Sequence, residues 1–455
     1  MQVVIVGGGR VGLPTALSFA RVGHPTVVLD TDPERVSALA SGTLPFFEPG
    51  LEAPVFEQVA LGRLRFTADP ADAYADADLA FICVDTPMDA DGDADLRAVF
   101  AAAGTIAETA SDIVVVMKST VPVGTGARLE ELFAQRASSA LHVASNPEFL
   151  QEGSALNEAL RPSRILVGSG SDHAKDVLRE LYGPFVADGS AWVETDLATA
   201  ELTKYASNAF LAMKISYANA LAEICDAVGA DVVTLTETLG HDARIGGGHL
   251  RPGMGYGGGC LSKDLAALRR TVAALGLEVR LLDEIDAINE RAASGIVAKA
   301  HEALGDLRGR RVTLLGLAFK PETDDVRMAP ALRVAEALLH AGATVVGYDP
   351  RATAAARQVL PELAVDADPY RALEGAECAV VCTEWDQIRA LDLGQVRAVM
   401  ARPLIVDGRN VFDPVEMEAA GFTYLGVGRP AVRGEPEPAL ASAARSSDAR
   451  RGEAP

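Results

Sequence analysis

The sequence predicts an α/β protein built as two Rossmann-like doubly wound domains joined by a long central helix. Three observations predict it. Short β-branched runs alternate with helical stretches through the first half of the chain. A long segment without Gly or Pro follows, from Asp196 to about Gly229. A second strand-and-helix alternation then begins at "RRVTLLGLAFK", residues 310 to 320.

Taken in order, the strands expected in the first half are "VVIV" (3–6), "TVVLD" (26–30), "LAFICVD" (79–85), "DIVVVMK" (112–118) and "RILVG" (164–168). Runs that are apolar at every position suit a parallel sheet covered by helices on both faces. The middle segment, "DLATAELTKYASNAFLAMKISYANALAEICDAVG", repeats apolar residues at helical spacing and reads as one helix. In the second half, "ATVVGYDP" (343–350), "CAVVCTEWD" (378–386) and "PLIVDGRN" (403–410) continue the alternation. The expected division is therefore 1–195, 196–305 and 306–430. A tail at 431–455, rich in Ala, Arg, Ser, Glu and Pro, is expected to be disordered.

At 455 residues the chain suits two or three domains, at roughly 100–200 residues each. Its 41 Lys and Arg against 63 Asp and Glu give a net charge of −22, a mean field that repels nucleic acid and anionic membranes. Neither is expected as a partner. Five cysteines, sparse and odd in number, do not form a secreted disulfide framework. No signal segment and no apolar run of membrane-spanning length is seen, so a cytoplasmic location is expected. The seven histidines have no metal-ligand spacing, and no metal is expected.

"VVIVGGGRVGLP" places Gly7, Gly9 and Gly12 in G-x-G-x-x-G spacing between a strand and a helix. A pyrophosphate suits that helix N-terminus, against free amides and the positive end of the dipole. Asp30 ends the next strand, 18 residues beyond Gly12, where its carboxylate would take the ribose hydroxyls and repel a 2′-phosphate. NAD is thus expected over NADP. The second domain's first turn, "LLGLAFKPETDD", lacks the glycine triplet and is left for another ligand, with Lys320, Arg327 and Arg409 near strand ends.

The stretch "RPGMGYGGGCLSKD" packs Gly253, Gly255, Gly257, Gly258 and Gly259 ahead of Cys260. A helix beginning just after Cys260, beside a lysine, predicts a thiol pKa lowered toward roughly 4–7 and a thiolate at neutral pH. Lys204 and Asn208, four apart on the central helix, share a face and make a pair suited to polarising an oxygen or holding water. Cys378 and Cys382 read as core. Glu148, Glu152 and Thr120 follow strand-like runs and, taken singly, read equally as caps or turns.

Together these segments resemble the UDP-glucose/GDP-mannose dehydrogenase family, nearest its UDP-glucose branch. The resemblance runs from residue 1 to about 425 through the glycine turn, "TLPFFEPGL", "VDTP", "KSTVPVGT", "SNPEFLQEG", the central helix, "HDARIGGGHLRPGMGYGGGCLSKD", "GLAFKPETDDVR", "CTEWD" and "DGRN". It implies an N-terminal NAD-binding domain, a central helix carrying a homodimer interface and a C-terminal UDP-sugar-binding domain. The implied reaction is the four-electron oxidation of UDP-glucose at C6 to UDP-glucuronate, through a thiohemiacetal and a thioester on a cysteine.

By position, the resemblance makes Cys260 the nucleophile and Lys204 and Asn208 the groups that stabilise oxyanion character and organise water. Asp264 partners that water, while Thr120 and Glu148 place water and assist acid/base steps. For NAD it points, beside the glycines, to Val11, Asp30, Arg35, Thr86, Thr120, Glu152, Lys263 and Arg327. For the nucleotide sugar it points to Glu148, Phe149, Leu150, Gln151 and Glu152, and to Lys204, Asn208 and Arg244. The list continues with His249, Leu250, Arg251, Pro252, Gly253, Gly257, Lys320 and Arg409. Arg244 resembles a residue that reaches the substrate of the neighbouring subunit. The glycine run would let the backbone wrap the sugar and bring sulfur to C6.

The chain also departs from the family pattern. It has His249 where Phe is usual, Gly259 where Ser is usual, Leu261 and Ser262 in place of Phe-Pro, and Met328 where Glu is common. The same chemistry on GDP-mannose or a UDP-N-acetylhexosamine stays open, as does a non-catalytic sensor of the same ligands.

Overall fold

The computed structural model describes residues 1–89 and 92–433. Eight strands form the first sheet: β1 (Val3–Val6), β2 (Thr26–Leu29), β3 (Leu64–Thr67), β4 (Leu79–Ile82), β5 (Val114–Met117), β6 (His142–Ser145), β7 (Arg164–Gly168) and β8 (Ala191–Thr195). Their spatial order is β3-β2-β1-β4-β5-β6-β7-β8. The first six strands run parallel, in register from Val3 beside Thr26 and Leu79. β1, β2, β4 and β5 are buried along their whole length, which is why they read as unbroken apolar runs.

The sheet departs from the expected all-parallel form at one seam. β7 meets β6 antiparallel, through Ser145 and Gly168, and β8 then runs parallel to β7. Gly168 allows this join to lie against the central helix, since a Cβ there would stand 2.4 Å from the Asp196 carbonyl oxygen. β3, β8 and two short strands of the second sheet escape the sequence reading because they lie at or near edges and alternate in burial.

The second sheet contains β9 (Arg311–Leu315), β10 (Thr344–Tyr348), β11 (Ala364–Val365), β12 (Cys378–Val381), β13 (Leu404–Asp407) and β14 (Thr423–Gly426). Its order, β11-β10-β9-β12-β13-β14, repeats the doubly wound pattern of the first six strands. All its pairs are parallel. Cys378 and Cys382 are buried in its core.

The central helix runs from Leu197 to Val228. Asp196 caps its start by accepting from Thr199 N–H, and Gly229 ends it in a left-handed conformation with its N–H on Cys225 O. Its inward face carries Ala200, Glu201, Lys204, Asn208, Ala212 and Ser216, at spacings of three and four. The helix Leu261–Ala274, with Cys260 at its N-cap, and the helix Arg280–Leu304 pack against it. A small apolar cluster of Ala209, Ala212, Tyr256, Leu265, Leu282 and Ile285 joins the three. The expected tail lies outside the described residues beyond 433. No helix of the described residues is long and apolar enough to cross a membrane.

Candidate active site

The glycine turn sits between β1 and the helix Gly12–Arg21. A Cβ on Gly12 would lie 1.9 Å from Gly7 O, so this contact requires glycine. Gly7 itself has φ +107° and presses on Cys83 O. A Cβ on Gly9 would meet nothing within 4 Å, so the outer side of the turn is open. Val11 occupies the N-cap and no side chain caps the first amides. An uncapped helix start beside an open turn fits a pyrophosphate.

Asp30, buried at the end of β2, accepts from Gly8 N–H at 2.8 Å and Asp32 N–H at 3.0 Å. Arg35 donates to it at 3.2 Å. The carboxylate is placed as expected, but the guanidinium offsets part of the charge that would repel a 2′-phosphate. Thr86 donates to Thr120 O at 2.8 Å, tying the ends of β4 and β5.

Around Cys260 the central helix contributes two buried polar contacts. Lys204 Nζ stands 2.9 Å from Glu148 Oε1, and both side chains are nearly inaccessible. Asn208 Nδ2 donates to Asp264 Oδ2 at 2.5 Å, and Lys263 donates to Asp264 Oδ1 at 2.6 Å. The turn after β6 brings Glu148 in, with its other oxygen accepting from Leu150 N–H. Phe149 lies between two cations, Arg164 at 3.7 Å and Lys204 at 5.5 Å from its ring centre.

Burial alone would disfavour the Glu148 carboxylate, yet Lys204, Leu150 N–H and Lys118 together hold it below the usual carboxylate range. Burial likewise opposes the Lys204 ammonium, and Glu148, Asp264 and Cys260 outweigh it and raise its pKa. The pair is therefore ionised.

Cys260 overturns the thiolate expectation. Desolvation first, then the charges of Glu148, Asp264 and Glu152, push its pKa up to about 11 against the opposing pull of Lys204. The residue remains open to solvent at one side. The helix N-terminus is present, but burial and, after it, three carboxylates outweigh it and favour the thiol over the thiolate.

The glycine run also makes close contacts within the protein. Each of the five glycines presses on protein. Added Cβ atoms would stand 2.7 Å from Gly408 O at Gly253 and 2.6 Å from Asn289 Oδ1 at Gly255. At Gly257 the obstacle is Met328 O at 2.4 Å, at Gly258 the Phe319 ring at 2.8 Å, and at Gly259 the Arg327 guanidinium carbon at 3.1 Å. Gly253, Gly257, Gly258 and Gly259 form the surface on which the second α/β unit packs against the thiol loop, and Gly255 packs on the helix Arg280–Leu304.

From that unit, Arg409 donates to Gly255 O at 3.0 Å and to Cys382 O at 2.9 Å. Lys320 donates to Glu152 O. Glu152 also meets Thr323 at 3.1 Å, Arg327 at 3.4 Å and Arg10 at 3.5 Å, so it links the two α/β units. Arg327 is held by both oxygens of Asp325. His249 is half-buried with φ +61°, and Leu250 and Pro252 are buried, whereas Gln151 and Arg251 are exposed. Arg244 pairs only locally, with Asp242 at 2.6 Å, on the outside of this chain.

Sequence reasoning missed the clamps. Asn219 Oδ1 accepts from Gly253 N–H at 2.7 Å, and Asn289 grips both Tyr256 backbone groups, at 2.7 and 3.2 Å. Glu48 accepts from Gly153 and Ala155 N–H, each at 2.8 Å. Glu201 accepts from Gly124 and Gly126 N–H, each at 2.7 Å. Glu48, Glu201 and Asn219 sit in segments that carry the resemblance, which marks their place and not their role; Asn289 carried no signal.

Residues 1–186 match the model of the NAD binding domain of the UDP-glucose/GDP-mannose dehydrogenase family. Residues 198–291 match that family's central domain and 313–414 its UDP binding domain. The chain belongs to this family. A UDP-glucose 6-dehydrogenase of Rhizobium meliloti is 44% identical over 436 residues, 94% of this chain and 100% of that protein. The UDP-glucose 6-dehydrogenase TuaD of Bacillus subtilis is 42% identical, over 95% of this chain and 94% of that protein. Among solved structures, a UDP-glucose dehydrogenase from Pyrobaculum islandicum superposes with a TM-score of 0.88 at 38% identity. It covers 94% of this chain and 98% of that one. The glycine turn, the uncapped helix start and Asp30 together fit the NAD that the family binds.

Proposed function

We propose that this protein oxidises UDP-glucose at C6 to UDP-glucuronate, with two NAD reduced per sugar. The observation that carries the reading is the cluster of Cys260, the Lys204–Glu148 ion pair and the Asn208–Asp264 hydrogen bond at the first turn of one helix. The curated relatives support UDP-glucose as the sugar nucleotide.

NAD, held by the glycine turn, Asp30, Arg35 and the Thr86–Thr120 edge, supplies a hydride acceptor for each of the two oxidations. The remaining work falls to the chain. The first oxidation leaves an aldehyde at C6; Cys260 Sγ forms a bond to that carbon as the C=O π bond opens and the thiol proton passes to the former carbonyl oxygen, giving a thiohemiacetal. Lys204, kept as ammonium, donates to the oxygen that gains negative character. After the second oxidation C6 is a thioester. Water held by Asn208 and Asp264 adds to it, Glu148 accepts the water's proton, and the C–S bond breaks to return the thiol. The resting pKa of Cys260 means that its proton leaves as the C–S bond forms.

Lys320, Arg409 and the segment His249–Gly253 would hold the nucleoside diphosphate sugar; that Lys320 reaches Glu152 O and Arg409 reaches Gly255 O supports this reading. The domain division 1–195, 196–305 and 306–430 follows this use: cofactor, thiol loop, nucleotide. The partner subunit is a second copy of the chain. On the central helix Phe210, Tyr217, Ile224 and Val228 form an exposed apolar stripe at seven- and four-residue spacing, a face suited to its counterpart. Pairing there would bring Arg244 of one copy toward the site of the other. A cytoplasmic setting accords with free thiols and NAD.

The test is stoichiometry. Purified protein with UDP-glucose should give two NADH per UDP-glucuronate by mass spectrometry, and Cys260→Ser should abolish acid formation. One NADH per sugar with free aldehyde accumulating would refute the thioester route; a panel of sugar nucleotides checks the substrate.

A further inference from the structure

Lys118 immediately follows β5, at the carboxyl end of the parallel strands where ligands collect. It is buried, and its Nζ donates to Asn146 Oδ1 at 3.0 Å and Asn146 O at 3.4 Å and reaches Tyr182 Oη at 3.5 Å. Each of these partners is neutral. Tyr182 Oη donates to Asn146 Oδ1 at 2.6 Å, and Asn146 Nδ2 donates to Leu166 O at 2.8 Å. Asn146 is thereby tied to three elements at once, and Glu148 stands two residues further on the same turn.

A cavity of about 230 Å³ opens on this cluster, lined among others by Lys118, Asn146, Glu148, Glu158, Arg164 and Tyr182. Burying an ammonium without a bonded carboxylate is costly, and a space-filling role would be met by methionine without that cost. The charged and titratable groups around Lys118 identify what offsets it. Lys204 on the central helix has the same sign. Cys83, at the end of β4, is pushed up to about 12 by burial and stays neutral, and burial keeps Tyr182 protonated. Across the cavity Glu158 accepts from Ser154 Oγ and Gln151 N–H, while Arg161 and Arg164 are cations. Glu148 is the carboxylate whose charge acts on Lys118.

We infer that Lys118 is a positioning residue for Glu148, fixing the Asn146–Glu148 turn and setting a second cation beside the cavity that the Glu148 carboxylate lines. The inference rests on the reading of Glu148 as the base of thioester hydrolysis. With Lys204 bonded to it and Lys118 lining the same cavity, one carboxylate answers two cations. The excess positive charge favours the oxyanion formed beside Cys260. Burial lowers Lys118 to about 8, so this support fades in mildly alkaline solution.

The experiment is an infrared titration of Glu148 in the cofactor-free protein, labelled with ¹³C-carboxyl glutamate and assigned by difference against Glu148→Gln. Lys118→Met should raise the Glu148 midpoint by roughly one unit, the size of shift a close charge gives. Lys118→Arg should restore it, and the acid limb of kcat should follow. Should Lys118→Met not fold, Lys118→Gln takes its place with the same expectation. An unchanged Glu148 midpoint in the neutral variant overturns the inference. A shifted midpoint with an unmoved acid limb supports the role of Lys118 and instead removes Glu148 as the base.

Discussion

Replacing Glu148 with glutamine tests the electrostatics of the thiol most directly. At its raised pKa of about 11, Cys260 is roughly 0.1% thiolate at pH 8, against roughly 24% for an unperturbed thiol near 8.5. Iodoacetamide should therefore label the free protein some two hundredfold more slowly than a simple thiol of the same reach. Glu148 is the largest of the charges that raise Cys260, after burial itself. Removing it should lower the thiol by roughly one unit and speed labelling about tenfold. The assay is intact-mass labelling across pH. It reads one site, because Cys83, Cys225, Cys378 and Cys382 are buried while Cys260 is open. A labelling midpoint at or below 8.5 in the wild-type free protein would refute the reasoning, as would slower labelling in Glu148→Gln.

Lys204→Ala removes the one cation bonded to the buried Glu148 carboxylate and should cost about 3–5 kcal/mol in denaturant unfolding, together with turnover. Its pH dependence has a defined sign. Glu148 is depressed, so its share of stability is present above the ordinary carboxylate range and lost as pH falls through its lowered pKa. Lys204 is raised, so its share persists until pH climbs past the usual lysine range. Gly257→Ala drives a Cβ toward Met328 O and should cost about 1–3 kcal/mol, with a larger loss of kcat from misplacing Cys260. Asp30→Asn frees Arg35 for a 2′-phosphate and should narrow the NAD over NADP preference about tenfold or more in kcat/KM. Tyr217→Glu on the exposed helix stripe should shift the protein to monomer in sedimentation and lower activity if Arg244 serves the neighbouring site.

The fold was legible where its cause is local. Buried parallel strands such as β1 and β5 must be apolar at each position, and the G-x-G-x-x-G turn is forced by the 1.9 Å approach at Gly12. The central helix announced both ends through Asp196 and Gly229. Strands β3, β8, β11 and β14 and the antiparallel seam at Ser145 were not legible, because edge pairing depends on which neighbour is already in place. Within the site, the residue types at Cys260, Lys204, Asn208 and Glu148 were readable. The clamps from Asn219 and Asn289 were not.

By itself the sequence determined the two doubly wound sheets, the dinucleotide turn and the presence of a thiol at a helix start, since each follows from neighbours within one or two elements. Tertiary structure alone decided the state of that thiol. Glu148, Glu152 and Lys204 reach Cys260 from distant stretches of chain and join Asp264 of its own helix, and a titration is set by the sum of charges and burial at one point in space. It also decided what the five glycines touch and brought Lys118 and Glu148 to one cavity, because both depend on surfaces that meet only when the chain has closed.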